Sequence, residues 1–535
     1  MTGIIVSSLY KIINSHNQAI AMTMKMKSLF LMFSLSICVT QLSQAANITN
    51  KIIGVGPKDN LINPYFCIQD SNGQVTAAVA PGATADGNKA SGNAYYVGGS
   101  LRFGGCTADN SYLGYVGFNV NDQHNNKLST YSPPEGVHVT YANPAIDSAG
   151  NITGQIQYTP INPNFSLLPS APSQNPYWSF VGANLSGLEF GKVIDPVVIP
   201  NLSQEDASGK FSDLTDTQAF LKAGINTFRL PVSWGYLQLD GPGKGDLNLD
   251  YYNSFIKPQL ESLTSAHINT IVDLHAYMRY SVFGKQYSGC GPSGPCPDGT
   301  LILDANAYQD VWTKLYALVK SDSKINMNYI LFDLVNEPVD VPDDLVFTIQ
   351  AQVIKSLRQQ GYQGYILLEG NSWTGLHSWT TASWASKDGK TTYTNASLFT
   401  RDNFIKAGIN DLSKIIINVH QYLDSDYSGT HEQCLTNLNT VGPDGFNLSA
   451  FVNYLQQNKL NAVVTEFGAG HDSNTCVTAL TDFLNYLKDN SAKNKDYGFV
   501  GWTIWSTGHG WGDYNLRVKP NSYQMQILRN YLQPM

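Results

Sequence analysis

Residues 329–338 read YILFDLVNEP: an apolar run broken once by Asp333, then Asn336, Glu337 and Pro338. A short apolar stretch that turns polar just before a proline has the texture of a parallel strand buried on both faces. Seven other stretches share it: VGANLSGL (181–188), INTFRLPV (225–232), INTIVDLHAY (268–277), YILLEGNSW (365–373), KIIINVHQYL (414–423), AVVTEFGAG (462–470) and FVGWTIWS (499–506). Helical patterns lie between them. Tyr308, Val311, Trp312, Leu315, Tyr316 and Val319 recur at the spacing of one helix face, and 343–360, 447–458 and 476–489 behave alike. Eight strand–helix units between 179 and 535 predict an α/β fold, a (β/α)8 TIM barrel with enlarged loops. A doubly wound open sheet is the competitor, but no Gly-rich phosphate loop follows the first strand.

Upstream the texture changes. Residues 46–165 have alternating stretches at 112–121, 136–141 and 152–158, punctuated by Gly, Asn and Asp, and no long helical pattern. They are expected to form a small accessory all-β module, a β-sandwich. Residues 166–178, with three prolines, are expected to be a linker. Lys25 and Lys27 precede an apolar run from Leu29 to Val39, and small residues follow at Ser43, Ala45 and Ala46. This is the pattern of a signal peptide over 1–45, with translation starting near Met22–Met26, and it predicts a secreted, extracellular protein. The run is too short to span a bilayer comfortably, and no other segment looks transmembrane.

Formal net charge is −8, and only 14% of residues are charged. The leader holds three lysines and no acid, leaving 30 basic against 41 acidic groups in the mature chain. That balance argues against a nucleic-acid backbone or an anionic membrane as partner. Six cysteines remain after the leader, an even number suited to disulfides in an exported protein. Grouping them by region pairs Cys67–Cys106, Cys290–Cys296 and Cys434–Cys476. Six cysteines allow fifteen connectivities, so spacing leaves the pairing open. No Cys-x-x-Cys or Cys/His cluster suggests a metal, and nothing points to a nucleotide or flavin cofactor.

A barrel of this kind carries its active site at the C-terminal ends of its strands. Strand two ends near Arg229, strand three delivers His275, and strand four delivers Asn336 and Glu337. Strand six supplies His420 and Tyr422, strand seven Glu466, and strand eight Trp502 and Trp505. Singly, each has a plain reading as a surface or core residue; together they fall on one face of one barrel. Two carboxylates without a metal motif suit glycoside hydrolysis, with one protonating the leaving oxygen and the other attacking. Arg229 is a natural partner for Glu466, Asn336 for a substrate 2-hydroxyl, and Trp505 for the apolar face of a pyranose.

LFDLVNEP (331–338) resembles the signature of glycoside hydrolase family 5, the large cellulase family, whose Asn-Glu-Pro carries the acid/base. The resemblance covers most of 180–535. GINTFRLPVSW resembles the strand-two segment with its arginine, VDLHAYMRY the strand-three segment with His275, and VVTEFGAG the nucleophile strand with Glu466. VHQYLDSDYSGTHEQC, WTIWSTGHGWGDY and VGANLSGLEFG resemble the sixth, eighth and first strand segments of the endoglucanase-type subfamily. The resemblance implies a retaining endo-β-1,4-glucanase with Glu337 as acid/base and Glu466 as nucleophile. It implies a β-glucan as partner and supports Cys434–Cys476; no cofactor and a monomer are expected. Ala276 departs from the Asn that many relatives carry after the strand-three histidine, which bears on one glycone subsite. Mannan, xyloglucan or mixed-linkage glucan are alternative polymers, transglycosylation is an alternative outcome, and a non-catalytic carbohydrate-binding barrel is the alternative from another class.

Overall fold

The computed structural model describes 168–200 except 173 and 195–196, and 214–534 except 282–286, 292–293, 297–299, 436–445, 509–510 and 512–513. Between 47 and 160 it describes nine strands and the turn at 82–83. The expected leader therefore lies outside the described residues.

Eight strands close into a barrel: β1 Phe180–Leu185, β2 Thr227–Val232, β3 Asn269–Leu274, β4 Ile330–Asp333, β5 Ile366–Glu369, β6 Ile415–Tyr422, β7 Asn461–Gly468 and β8 Phe499–Thr507. They follow in chain order, each parallel to the next, and β8 pairs with β1. Around them run α1 Leu214–Lys222, α2 Lys257–Ser265, α3 Ala305–Ser321, α4 Asp343–Gln359, α5 Arg401–Lys406, α6 Leu448–Asn458, α7 Ser473–Asp489 and α8 Tyr523–Leu528.

The helix pattern read from sequence is the one buried. Asp304 caps α3 by accepting the Asn306 N–H at 2.8 Å, and Tyr308, Val311, Trp312, Leu315, Tyr316 and Val319 face inward. Trp312 also donates its indole N–H to the Leu334 carbonyl at 3.0 Å. Trp312→Ala would remove that whole contact, a loss of about 3–5 kcal/mol for a fully buried tryptophan.

Inside the barrel, side chains two apart share a face. Ile271, Leu331, Leu367, Ile416 and Val463, with Phe180, form an apolar plug. Two residues further along each strand stand Asp273, Asp333, Glu369, Asn418 and Thr465, all fully buried. The barrel interior thus changes from apolar to polar toward the C-terminal ends of its strands.

Two strands end earlier than the apolar runs suggest. β4 stops at Asp333 and β5 at Glu369. Beyond them the backbone leaves the sheet: Glu337 has φ 47°, and Ser372, Trp373 and Thr374 have φ of 62°, 52° and 48°. Left-handed residues cannot continue a strand, so these tails form loops over the barrel mouth.

Contacts divide the chain into two compact units, one of Met1–Pro133 with Val139–Tyr158 and one of Pro134–His138 with Thr159–Met535. In the first unit the nine strands form a five-stranded antiparallel sheet and a four-stranded sheet. In the latter, Asn47–Val55 pairs parallel with Asn151–Pro160 and antiparallel with Thr84–Asp86. The side chains of Cys67, Cys290 and Cys296, and all of Cys106, lie outside the described residues, and with them two of the expected disulfides.

Candidate active site

The site is built around one buried guanidinium. Arg229, fully buried on β2, donates through Nη1 to Glu466 Oε1 at 2.7 Å and to Asn184 Oδ1 at 3.1 Å. Its Nε reaches Asp333 Oδ2 at 3.0 Å. Its Nη2 reaches Asn336 Oδ1 at 2.7 Å and Asp273 Oδ2 at 3.0 Å. A planar fork with five donors is the one side chain that satisfies so many acceptors at fixed angles.

Glu466 has both oxygens held, because Tyr422 donates its hydroxyl to Oε2 at 2.6 Å. Glu337 accepts from or donates to His420 Nδ1 at 2.7 Å, and the other nitrogen of that ring lies 3.0 Å from Thr465 Oγ1. A carboxylate oxygen of Glu337, one of Glu466 and a His420 nitrogen all fall within 4.8 Å of one another. His275 is fixed by Asp273 at 2.8 Å and by the Tyr277 hydroxyl at 3.2 Å, and its ring stacks on Trp505 at 5.7 Å. Ala276 beside it is buried.

The two carboxyls are driven apart electrostatically. Burial raises Glu337 above the ordinary carboxyl range; His420 opposes this, while the charges of Glu466 and Glu369 add to it. Burial would raise Glu466 too, but His420, Arg229 and His275 attract its charge, and with the Tyr422 hydrogen bond they hold it below the ordinary range. His420 lies well above its usual value: burial disfavours its charge, but Glu466, Glu369 and Glu337 outweigh that.

Of the nine residues read from the sequence, Arg229, His275, Asn336, Glu337, His420, Tyr422, Glu466 and Trp505 meet here. Trp502 does not. It is fully buried behind the sheet, edge-on to Trp178 and Phe467, with ring centroids 6.0 and 5.8 Å away. Strand alternation explains the correction: Thr503 points into the barrel, where it bonds the Thr465 carbonyl, so its neighbour Trp502 points out. The reading also misses Asp273, Asp333, Glu369 and Asn418. Their signal is three acids and an amide inside otherwise apolar strands, each two residues past an apolar plug position. A further unread residue is Trp373, 53% exposed at the mouth of a cavity of about 510 Å³. Glu337, His420, Tyr422, His377 and Tyr427 line the same cavity. The Cys434–Cys476 disulfide is present, with Cα atoms 4.9 Å apart, and joins the loop after β6 to α7.

The model of the cellulase family, glycosyl hydrolase family 5, matches residues 195–508. The chain belongs to this family. Endoglucanase 1 of Robillarda sp. (strain Y-20) is 33% identical over 305 residues, 57% of this chain and 70% of that protein. Endo-beta-1,4-glucanase A of Emericella nidulans is 28% identical over 367 residues, 68% of this chain and 94% of that one. Among solved structures, an endo-beta-1,4-glucanase of Xanthomonas axonopodis pv. citri shares 29% identity at a TM-score of 0.50, covering 66% of this chain and 98% of its own. XacCel5A in complex with cellopentaose matches at 29% identity and a TM-score of 0.51, over 66% and 99%. The family match at 195–508 spans β2 to β8 of the barrel.

Proposed function

We propose that the barrel is an endo-β-1,4-glucanase that cuts internal bonds of β-1,4-glucan with retention of configuration. The observation that carries this reading is the pair Glu337 and Glu466: oxygens within 4.8 Å, one carboxyl pushed up and the other held down. Retaining glycosidases need carboxyls roughly 5–5.5 Å apart, whereas inverting ones leave roughly 6.5–9.5 Å for a water.

Glu466 attacks the anomeric carbon as the glycosidic bond breaks, and Glu337 gives its proton to the departing oxygen. Glu337, now a carboxylate, takes a proton from water as that water attacks the same carbon and releases Glu466. Arg229 and Tyr422 orient the nucleophile by one bond to each oxygen. His420 holds the Glu337 carboxyl. The Trp505 ring, braced by His275, offers an apolar face to a pyranose, and Trp373 offers another at the cavity mouth.

In the same reading the enzyme works as a monomer outside the cell. Residues 1–45 are an export leader and 46–165 an accessory module; of the expected linker 166–178, Asn175 and Trp178 are buried against the barrel, so that end belongs to the barrel. The disulfide supports export. Among the described residues no helix is long and apolar enough to cross a membrane.

The test uses the mature protein with a soluble, unbranched β-1,4-glucan, following viscosity, reducing ends and the anomer first released. Viscosity should fall with few new reducing ends, and the β-anomer should appear first. Release of the α-anomer would overturn the assignment of Glu466 as nucleophile. An inert β-1,4-glucan alongside rapid cutting of mannan would move the polymer, not the chemistry.

A further inference from the structure

Glu369 closes β5 and is fully buried. It is neither the acid/base nor the nucleophile, yet both lines of support to Glu337 pass through it. Its Oε2 accepts the backbone N–H of Glu337 at 2.6 Å. Its Oε1 accepts from Asn418 Nδ2 at 2.7 Å and lies 3.4 Å from His420 Nε2 and 3.5 Å from Arg229 Nη2. The opposite nitrogen of His420 holds the Glu337 carboxyl. Gln350 of α4 fixes Glu369 in turn, donating to its carbonyl at 2.7 Å and accepting its N–H at 3.1 Å.

Glu337 needs such a hold. Its φ of 47° is a left-handed conformation that costs a non-glycine residue free energy and persists only where the surroundings enforce it. A hydrogen bond from a backbone N–H to a carboxylate is roughly twice as strong as a neutral one. Glu369 therefore grips the strained residue by its backbone and adds a negative charge beside the His420 that grips it by its side chain.

We propose that Glu369 is a positioning residue for the acid/base: it holds Glu337 in its left-handed conformation and keeps a proton on the Glu337–His420 pair. This rests on the reading of Glu337 as acid/base. The charged groups facing the pair are Arg229 from β2, Asp273 from β3, Asp333 from β4, Glu369 from β5 and Glu466 from β7. Three phenols, Tyr277, Tyr422 and Tyr514, also face it, each pushed up by burial. Removing one negative charge from this group weakens its hold on a proton, whichever of Glu337 and His420 carries it.

The experiment compares wild type, Glu369→Gln and Glu369→Asp on two substrates, soluble β-1,4-glucan and a dinitrophenyl β-cellobioside. The aryl glycoside has a leaving group that needs no proton, so kcat/KM for it bypasses the acid. Glu369→Gln should lose about 100-fold in kcat/KM on the glucan, in line with the worth of a general acid, and less than about threefold on the aryl glycoside. Its basic limb of kcat/KM should move to lower pH by about one unit. Glu369→Asp keeps the charge but not the reach, so it should show the same substrate split with its basic limb in place. Near-UV circular dichroism and melting establish that each variant is folded. Equal losses on both substrates, or an unmoved basic limb in folded Glu369→Gln, would overturn the proposal. Should Glu369→Gln not fold, the substrate split in Glu369→Asp decides. Failure of wild type on the glucan would instead strike the polymer assignment, and the ratio is then measured on the β-glycan it does cut.

Discussion

Tyr422→Phe isolates one bond to the nucleophile. The hydroxyl lies 2.6 Å from Glu466 Oε2, while Arg229 holds Oε1 at 2.7 Å, so the substitution removes one of two donors and leaves the ring in place. A hydrogen bond to a charged group contributes roughly 1.5–3 kcal/mol. At about 1.4 kcal/mol per pH unit, losing it raises the Glu466 pKa by roughly one to two units. Burial already pushes that carboxyl up, and Tyr422 is one of four groups that hold it down with His420, Arg229 and His275. Activity requires Glu466 ionised, so it is lost as pH falls through this pKa. In Tyr422→Phe the acid limb of kcat/KM should therefore move to higher pH by about one to two units. The basic limb, set by Glu337, should stay. The assay is kcat/KM on a soluble oligosaccharide from pH 3 to 9, with melting measured at each pH. An acid limb that stays put in a folded variant, or moves to lower pH, would refute the claim that Tyr422 stabilises the ionised nucleophile.

Glu466→Gln should fold as wild type and lose nearly all turnover; trapping of a glycosyl adduct on any other residue of the wild type would displace it as nucleophile. Glu337→Ala should retain turnover of aryl glycosides with good leaving groups and be accelerated by azide through a β-glycosyl azide product; no azide rescue would remove it from the acid/base role. Replacing Cys434 and Cys476 by serine opens a loop with a sequence separation of 42 and should cost roughly 2–4 kcal/mol, read as a lower melting temperature than that of the unreduced wild type. Stability should fall between about pH 5 and pH 8, because His420, His275, Glu337, Asp333 and Glu189 all have folded pKa values above their unfolded ones and so bind protons that the unfolded chain releases. His377, lowered to about 4, opposes this only below the usual histidine range; a melting temperature that climbs steadily from pH 5 to 8 would contradict the balance.

The barrel is legible in the sequence because parallel strands covered on both faces must be apolar throughout, and eight such runs alternate with one-faced helices. The two glutamates are legible because a polar residue at the end of such a run belongs to the mouth of the barrel. Trp505 and Trp502 look alike in that pattern, and only the alternation about Thr503 separates them. The inner network is harder to read. Asp273, Asp333 and Glu369 meet through Arg229, so their meaning lies in contacts across β2 to β5 that no local spacing encodes. Each alone reads as a flaw in an apolar strand. The loop ends of β4 and β5 are misplaced for a related reason: left-handed backbone at Glu337 and Ser372 follows from tertiary hydrogen bonds such as that from Glu337 to Glu369, not from residue preference.

The charge count inside the barrel explains why the network takes this form. Arg229 faces four carboxyl groups, those of Asp273, Asp333, Glu369 and Glu466. One guanidinium and two imidazoles cannot neutralise four buried carboxylates together with Glu337. Protons make up the difference. Burial, then repulsion from Glu369, lifts Asp333 well above the ordinary range despite its bond to Arg229, whereas Glu466 is held below it. A lysine at 229 would supply the charge but not the fork, and it would leave acceptors at Asn184 or Asn336 without the donor they now have. The arginine thus acts less by its charge than by distributing it: the same side chain that keeps Glu466 ionised also ties β1, β2, β3, β4 and β7 at fixed angles, and the separation of the two glutamates follows from that bracing.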